Sequence, residues 1–531
     1  MVPYIGNDSM ADNGLSRRHE ISELLQQVDS ITTRAFHTSN GSPKSDCRDD
    51  KKPIKRYEDL FSGFSAEGLG SSGFKDAIDL LSRNSVDNAS PGFLGKLVSA
   101  PSAPGIAADL FLSILNNNGH VQRAGPALTA VEKHVSLELA RLFDLQGPHA
   151  GGVTVPGGAA GNLMAMLVAR NIVSPESKQR GLTPGEYAVF VSEAAHYSVT
   201  NSANVIGLGN DSIISVPALE DGTMDVNALE SAVEQATRDG KKPLLIAATS
   251  GSTVNGAFDS LDKIGEIAHR VGAWFHVDAC WGGGVVFSDK LKHLMEGSHL
   301  ADSIAFNPHK LLGVPLVCAF LLVNDLRTLW LANKQNAGYL FHDDTSKKNG
   351  TGSEDTSTTN EKEQKKDWRN SKLLDTAPDV REINDLASLT IQCSRRHDAT
   401  KMFLHWLYYG TAGIAREVEQ AVDSAKHLAC LVRDHPRFEL IWEPEQVFAQ
   451  VCFYWKSAST TEISGQTLAE INSRNTRALY QGIEQMGWKV DFAPGKAKGQ
   501  FLRIACNRLT TRQTVERIVS ELVELGDSLG L

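Results

Sequence analysis

The sequence predicts an α/β fold with a mostly parallel sheet, followed by a smaller α+β domain. Between about residues 150 and 325, short runs rich in Val, Ile and Phe alternate with amphipathic segments of helix length, which is typical of a sheet covered by helices on both faces. After about residue 420, helical segments are mixed with the short strand-like runs FELIWE, QVCFYW and QFLRIAC. The strand-like runs of the first region are 151–155, 187–192, 212–217, 243–249, 274–278, 302–306 and 318–323. Its helices are expected to begin near Gly161, His196, Asp225 and Ser260.

Changes in composition divide the chain into four parts. Residues 1–55 are polar and predict a loosely ordered extension, and amphipathic stretches predict helices within 56–125. The large domain is expected to span 126–420 and to contain a low-complexity polar tract at 343–371, which we expect to be a mobile surface loop. Residues 421–531 then form the smaller domain.

Composition limits the classes of function. The chain has 531 residues, of which 41% are hydrophobic and 22% charged, as in a large globular protein. Its net charge of -10, without a basic patch, argues against nucleic acid or an anionic membrane as a partner. The chain has neither a spanning apolar stretch nor a signal pattern, so we expect a cytoplasmic protein. Seven scattered cysteines without a C-x-x-C pair predict reduced thiols and no metal site.

Two charged residues at strand ends carry the strongest chemical signal. Lys310, in the run NPHK (307–310), follows a predicted strand, although lysine is rarely buried without a partner. Asp278 ends the strand 274–278, where a buried carboxylate needs a cation. In a pyridoxal 5'-phosphate (PLP) site, the protonated pyridine nitrogen is that cation. Taken alone, Lys310 would be better explained as a surface lysine in a loop, and Asp278 could be an aspartate that caps a helix or is satisfied within the core; the two residues together favour the PLP site.

Three further motifs are predicted at the same edge of the sheet. The small residues of GGAAGN (157–162) would let backbone N–H groups at a helix start approach a phosphate. His196 follows the strand 187–192 and could stack on a flat ring, and Thr253 follows 243–249 and could bond cofactor or substrate. The plainer explanations are close packing, a structural histidine and an ordinary turn residue.

Together these motifs resemble the group II PLP-dependent decarboxylases, in the branch of glutamate, aspartate and cysteine sulfinate decarboxylases. The similarity begins near Pro91 and is carried by SPGFLGKL, GGAAGN, SEAAHYSV, TSGSTVNGAFD, HVDACWGGG, NPHKLLGVPL, AGYLF, IQCSRRHD and QFLRIA. It implies an aminotransferase-like (fold type I) large domain with a mostly parallel seven-stranded sheet, a small α+β C-terminal domain and a homodimer whose small-molecule substrate is an amino acid.

The resemblance also implies roles for individual residues. Lys310 would carry PLP as a Schiff base, Asp278 would pair with its pyridine nitrogen, and His196 would stack on its ring. Arg503, in FLRIA, would hold a carboxylate of the substrate side chain, a task suited to a guanidinium. The further cofactor-site residues would be Ala160, Gly161, Thr253, Asn307 and His309, with His309 also counted among the catalytic residues.

Two positions depart from the family's usual pattern. Where acidic-substrate members usually read FFNQL, this chain reads FLGKL, so Lys96 stands at a substrate-contacting glutamine position and either adds a second cation or points to solvent. The family's active-site loop carries a tyrosine that returns a proton after CO2 leaves. This chain has no tyrosine between Tyr339 and Tyr408, and alignment places Asn384 there. Asparagine cannot act as an acid at neutral pH.

The sequence therefore predicts the α-decarboxylation of an acidic L-amino acid. L-Aspartate, giving β-alanine, is the first choice, because a long Lys96 would shorten the space beyond Cβ. L-Glutamate, giving GABA, and cysteine sulfinate, giving hypotaurine, are alternatives. Slow protonation leaves open an aldehyde synthase or a transaminase, and an aromatic amino-acid decarboxylase is a further reading. An inactive regulatory homologue is disfavoured by the intact Lys310, Asp278 and His196.

Overall fold

The computed structural model describes most of the chain. The described residues are 19–30, 63, 66–334, 367–456 and 467–531. Most of the low-complexity tract at 343–371 lies outside them, as does most of the N-terminal extension. Within that extension, helix α1 (19–30) contacts the next helix, because Gln27 Nε2 donates to Ser71 Oγ at 2.6 Å. Part of the segment predicted to be loosely ordered is therefore helical.

The helices follow the predicted order along the chain. In the first part they are α2 (Gly70–Arg83), α3 (Ala103–Leu115), α4 (Pro126–Leu142), α5 (Gly158–Val173), α6 (Ser177–Arg180), α7 (Tyr197–Val205), α8 (Val226–Arg238), α9 (Leu261–Val271) and α10 (Leu326–Asn333). The last three are α11 (Ala399–Asp434), α12 (Leu468–Gln485) and α13 (Arg512–Ser528). No helix of the described ranges is both long and apolar enough to cross a membrane.

The large domain is built on a seven-stranded sheet. Its strands are β1 (Gly151–Val155), β2 (Tyr187–Ser192), β3 (Ile213–Val216), β4 (Lys242–Thr249), β5 (Trp274–Asp278), β6 (Ser303–Phe306) and β7 (Ala319–Val323). They lie in the order β1-β7-β6-β5-β4-β2-β3, and only β7 runs antiparallel to its neighbours. The predicted mostly parallel sheet is confirmed.

Alternate residues of the central strands feed two separate hydrophobic cores. Phe190 and Ile246 belong to one core cluster, whereas their neighbours Val189 and Leu245 belong to the other. Side chains alternate between the faces of a strand, so the sheet is covered on both sides. Because β2, β4, β5 and β6 are parallel, their carboxyl ends lie at the same edge of the sheet.

The helix starts at this edge have local causes. The side chain of Asp225 accepts hydrogen bonds from two backbone N–H groups of α8, and that of His196 accepts one from Ser198 N in α7. Helix α5 follows Gly157, whose φ of 99° is readily adopted only by glycine. All four predicted helix starts lie within three residues of the observed ones.

The small domain has an antiparallel sheet covered by helices. Its strands are β8 (Phe438–Leu440), β9 (Gln450–Trp455), β10 (Asp491–Gly495) and β11 (Gly499–Ala505), in the order β10-β11-β9-β8. Strand β10 was not predicted, because it contains Pro494 and Gly495 and these residue types are typical of turns. Helix α11 crosses the predicted domain boundary at 420/421, with one irregular residue at Gly410.

Two segments tie the parts of the chain together. Leu94 N donates to Lys489 O, and Ala505 N donates to Leu94 O, both at 2.7 Å, so the FLGKL segment joins the small domain. At the end of the low-complexity tract, the rings of Trp368 and Trp274 stack with centroids 4.9 Å apart. Residues 367–371 are thus attached to the large sheet, unlike the mobile loop expected there.

Candidate active site

Asp278 lies at the carboxyl end of β5, and its side chain is 7% exposed. Oδ2 accepts from Asn162 Nδ2 at 2.9 Å, and Oδ1 accepts from Cys280 N at 3.1 Å. Burial raises the pKa of this carboxyl, but the nearby charge of Lys310 and the hydrogen bonds from Cys280 and Asn162 outweigh it, so the pKa lies below its usual value. Asp278 is therefore a buried, ionised carboxylate.

Lys310 follows β6 in a turn closed by its backbone N–H, which donates to Asn307 O at 2.9 Å. Its side chain is half-buried, and within the described residues its amine makes no hydrogen bond or ion pair. Its charge influences the pKa of both Asp278 and His196, which places the three side chains within electrostatic reach of one another. The structure thus brings together the three residues on which the sequence reading most depends.

His196 is half-buried at the start of α7. Its Nδ1 lies 3.3 Å from Ser198 N and 2.8 Å from Ser198 Oγ. Burial lowers the pKa of this imidazole, Asp278 raises it, and Lys310 lowers it; the net shift is downward. The ring is therefore neutral at physiological pH.

A small cradle lies beside these residues at the start of α5. A Cβ on Gly158 would lie 2.5 Å from Cys280 Sγ and 2.7 Å from Asn307 Nδ2, so only glycine fits there. A Cβ on Gly161 would meet nothing closer than 3.4 Å. Asn307 is 3% exposed, and its Oδ1 has no hydrogen-bond partner among the described residues. Gly158 belongs to the GGAAGN motif, but only Ala160 and Gly161 were predicted individually as cofactor-site residues.

Two other predicted site residues take part in hydrogen bonds within the protein. His309 Nδ1 lies 2.6 Å from Cys318 O, and burial, the largest influence, lowers the pKa of this imidazole to about 4. Thr253 offers its carbonyl oxygen, which accepts from Arg503 Nη1 at 2.7 Å. His309 is therefore a neutral side chain, and Thr253 links the end of β4 to β11.

Arg503 is 5% exposed and lies on β11. Besides Thr253 O, its guanidinium donates to Gly95 O and to Asp491 Oδ2, both at 2.8 Å. The same Asp491 oxygen accepts from Lys96 Nζ at 2.8 Å, although the Lys96 side chain is 71% exposed. The two predicted cations therefore converge on one carboxylate. Asp491 was missed because it stands alone on the unpredicted strand β10.

Sequence reasoning also missed the residues around Asp278. Asn162, His276, Ser198 and Ser303 form buried hydrogen bonds with one another and with the site. A signal was available, because His276 and Asp278 are two residues apart on β5 and therefore share a face of the strand. Asn162 is the last residue of GGAAGN.

Asn384, at the position expected for the loop tyrosine, is held by helix α4. Lys133 Nζ donates to Ile383 O at 3.0 Å and to Asn384 Oδ1 at 3.3 Å. In the part of the chain that the structure describes, no hydrogen bond joins Asn384 to Lys310, Asp278 or His196.

The donor set fits PLP. An amine and an amide oxygen that have no partner among the described residues meet a buried ionised carboxylate and a glycine cradle at one sheet edge, as a cofactor with a carbonyl, a pyridinium and a phosphate requires. Across the described ranges, no group of three or more His, Cys, Asp or Glu side chains is arranged to hold a metal ion.

Comparison with known proteins identifies the family. The profile of the pyridoxal-dependent decarboxylase conserved domain matches residues 74–361 and 370–456. A glutamate decarboxylase-like protein of Gibberella zeae is 89% identical over 520 residues, covering 98% of this chain and 100% of that protein. An L-aspartate decarboxylase of Metarhizium robertsii is 39% identical over 460 residues, covering 87% of this chain and 84% of that protein.

A solved structure agrees in fold. Mouse CSAD in apo form has a TM-score of 0.81 at 29% identity, covering 95% of this chain and 99% of that chain. The resemblance, the fold type and the PLP cofactor predicted from the sequence are confirmed by these matches. The chain therefore belongs to the pyridoxal-dependent decarboxylase family, as a group II amino-acid decarboxylase whose cofactor is PLP.

Proposed function

We propose that this enzyme removes the α-carboxylate of an acidic L-amino acid, with L-aspartate, giving β-alanine and CO2, as the first candidate. The observation that carries the proposal is Arg503, a buried guanidinium bound to Thr253 in the loop that follows β4. A fixed cation beside the cofactor edge selects a substrate with a second anionic group. The 39% identical L-aspartate decarboxylase supports aspartate, and L-glutamate and cysteine sulfinate are the alternatives.

The residues proposed to hold PLP would contact four parts of it: the carbonyl, the pyridine nitrogen, the ring face and the phosphate. Lys310 provides the amine that binds the cofactor carbonyl, and Asp278 holds a proton at the pyridine nitrogen. His196 covers the ring. The start of α5, including Ala160 and Gly161, together with Asn307 and His309, surrounds the phosphate. Bound PLP supplies an electron sink for the pair of electrons left when CO2 departs.

The protein's own residues keep this site in one charge state. Asp278 stays ionised because the charge of Lys310 lies nearby and because Cys280 and Asn162 donate hydrogen bonds to it. His196 and His309 stay neutral because burial lowers the pKa of both rings. We propose that they add no positive charge beside the ring and leave Asp278 as the partner of its nitrogen.

At the substrate end, Arg503 is the cation expected to contact the distal carboxylate. Lys96 was expected to shorten the pocket beyond Cβ, but its amine pairs with Asp491 and its side chain is 71% exposed. We therefore propose that Lys96 acts through Asp491. The preference for aspartate then depends on the 39% identical L-aspartate decarboxylase and not on the length of Lys96, because Arg503 would contact the distal carboxylate of aspartate and of glutamate alike.

A second candidate activity is decarboxylation coupled to oxidation by O2, which gives an aldehyde. The observation that favours it is Asn384, an amide without an acidic proton that is bonded to Lys133. In this activity O2 is reduced to H2O2, water supplies the oxygen of the aldehyde, and the amino group leaves as ammonia. Measuring amine, aldehyde and H2O2 after each reaction separates the two activities.

A homodimer is part of the proposal. Helix α3 exposes Ile106, Phe111 and Ile114 at 53%, 46% and 58%, an apolar row that a second copy would cover. Sedimentation should give a dimer, and Phe111→Glu combined with Ile114→Glu should give a monomer. Leu468→Glu, at an exposed leucine on α12, is the matched control and should remain dimeric. The cytoplasmic location stays a prediction.

The test of the substrate class compares kcat/KM for aspartate, glutamate, cysteine sulfinate and Dopa. Arg503→Met should reduce kcat/KM for aspartate by about 2–5 kcal/mol of transition-state stabilisation, the usual effect of truncating one partner of a buried ion pair. Arg437→Met is the control, because Arg437 pairs with Asp527 within the small domain. Dopa as the best substrate, or unchanged aspartate turnover in Arg503→Met, would contradict the proposal.

A further inference from the structure

A line of buried polar side chains leads from the middle of the large sheet towards the proposed cofactor site. Trp274 Nε1 and His276 Nδ1 each lie 2.8 Å from Ser303 Oγ. On the other side of its ring, His276 Nε2 lies 3.0 Å from Asn162 Oδ1. His276 is 1% exposed and Asn162 is 2% exposed. These bonds are therefore shielded from water.

The line divides at Asn162. Its Nδ2 lies 2.9 Å from Asp278 Oδ2 and 2.8 Å from Ser198 Oγ. Ser198 Oγ lies in turn 2.8 Å from His196 Nδ1. One amide thus connects the proposed partner of the pyridine nitrogen with the imidazole proposed to cover the ring.

The chemistry of the groups fixes the direction of each bond. Ionised Asp278 only accepts, so Asn162 must turn its NH2 group towards Asp278 and its oxygen towards His276. An amide oxygen also only accepts, so His276 must carry its proton on Nε2. Its Nδ1 then accepts from Ser303, whose oxygen accepts from the indole N–H of Trp274.

The other branch fixes a second tautomer. Asn162 uses its remaining N–H on Ser198 Oγ, which leaves the hydroxyl hydrogen of Ser198 for His196 Nδ1. The backbone N–H of Ser198 also faces that nitrogen, at 3.3 Å. His196 Nδ1 therefore accepts, and the proton of the neutral ring lies on Nε2.

We propose that His276 and Asn162 are positioning residues, which keep Asp278 ionised and hold His196 as the Nε2–H tautomer. Neither is proposed to touch the substrate. Breaking the line at His276 would let the Asn162 amide rotate, so that Asp278 loses a donor and Ser198 can turn its hydroxyl away from His196. The inference rests on the proposed roles of Asp278 and His196.

Two substitutions of His276 separate this role from simple packing. The amide of Gln reaches the position of Nε2 and can still donate to Asn162, whereas that of Asn reaches only the position of Nδ1 and Ser303. Both remove the ring. For each protein, we would measure the PLP dissociation constant of the apoenzyme and its thermal midpoint, together with the His196 tautomer from 15N shifts of histidine-labelled apoenzyme.

His276→Gln should bind PLP nearly as tightly as the wild type and keep the His196 tautomer. His276→Asn should bind PLP about ten- to a hundredfold more weakly, as expected for the loss of one hydrogen bond to a charged group, and should show a mixture of tautomers. Equal PLP affinities in the two variants, whether both unchanged or both reduced, would overturn the proposal, as would the reverse order.

Asn162→Ala provides an independent check, because alanine suits the interior of α5. It should also weaken PLP binding by about tenfold or more through the lost bond to Asp278, and unchanged affinity would overturn the proposal. Asp278→Asn separates the two levels of inference. If Asp278→Asn weakens PLP binding but His276→Asn and Asn162→Ala do not, only the positioning role is wrong. If Asp278→Asn binds PLP as tightly as the wild type, the proposed role of Asp278 is wrong.

Discussion

The two ends of the proposed active site, the proposed cofactor end and the proposed substrate end, are built in different ways. The cofactor end (Asp278, Asn162, His196 and Lys310) comes from consecutive strand ends and helix starts of one sheet. The substrate end (Arg503, Asp491 and Lys96) comes from β11, β10 and the FLGKL segment, which lie at distant places in the sequence. The geometry of the cofactor end depends on one rigid sheet. The geometry of the substrate end depends on how the large domain, the small domain and the FLGKL segment pack against one another.

Burial separates the two ends further. Around Asp278 the hydrogen-bonded side chains are almost completely buried, so each lost bond leaves a group without water to replace it. At the substrate end, Arg503 is buried but Lys96 is largely exposed to solvent. If the proposed roles hold, a single surface substitution at Lys96 should change the charge near the substrate and leave the cofactor in place. We therefore expect substitutions to change the substrate preference more readily than the type of reaction.

The largest effect should come from the cofactor end. Lys310→Ala should abolish both covalent PLP binding and CO2 release, because no other side chain is proposed to bind the cofactor carbonyl. The measurements are the mass of the borohydride-treated protein and the release of labelled CO2. Lys290→Ala, which removes an exposed lysine paired with Glu419, should behave as the wild type. Wild-type turnover by Lys310→Ala would remove the assignment.

Acid should reduce the stability of the fold through two buried histidines near the proposed cofactor end. Burial lowers the pKa of His276 and of His309 from 6.5 to about 4. Between these two pH values the unfolded chain binds protons that the folded rings do not bind. The free energy of unfolding is therefore unaffected by these rings above about pH 6.5 and decreases as the pH falls towards 4. Each ring contributes at most about 1.4 kcal/mol per pH unit in that window.

Thermal midpoints of the apoenzyme between pH 7 and pH 4 measure this loss. In His276→Gln the fall should be shallower than in the wild type, because one titrating ring is gone. An equally steep fall in both proteins would show that His276 takes up its proton without cost in the folded state.

Asp491→Asn should sharpen the contrast at the substrate end. Arg503 keeps its bonds to Thr253 O and Gly95 O but loses a competing carboxylate. A substrate carboxylate should then bind more tightly, with KM for aspartate falling about fivefold and PLP affinity unchanged. A rise in KM would instead mean that Asp491 is needed to hold Arg503 in position.

The smallest effect is expected at Lys96. Lys96→Gln removes an exposed partner of Asp491, so KM for aspartate should change by less than about fivefold, and less at high salt. The ratio of kcat/KM for aspartate to that for glutamate should stay within the same limit. Lys498→Gln, at an exposed lysine paired with Glu439, is the matched control. A large shift towards glutamate would restore the direct role first expected for Lys96.

Local sequence patterns determined much of this protein. The alternation of apolar runs and amphipathic segments gave the seven strands and the helix starts, because burial on two faces imposes that pattern on the sequence. The same patterns placed Lys310, Asp278 and His196 at one edge, since parallel strands all end on the same side. The family motifs then predicted PLP as the cofactor.

Tertiary structure alone decided which side chains meet. Lys96 and Asp491 are 395 residues apart, and His276 and Asn162 are 114 apart. No periodicity marks either pair, because a hydrogen bond across the fold requires only complementary atoms and places no constraint on the residues beside them. The need for glycine at 158 likewise comes from Cys280 and Asn307, which approach it from distant parts of the chain. Local patterns therefore predicted most strands and helices of the large domain but not strand β10 of the small domain, and packing decided the partners of each charged or polar group.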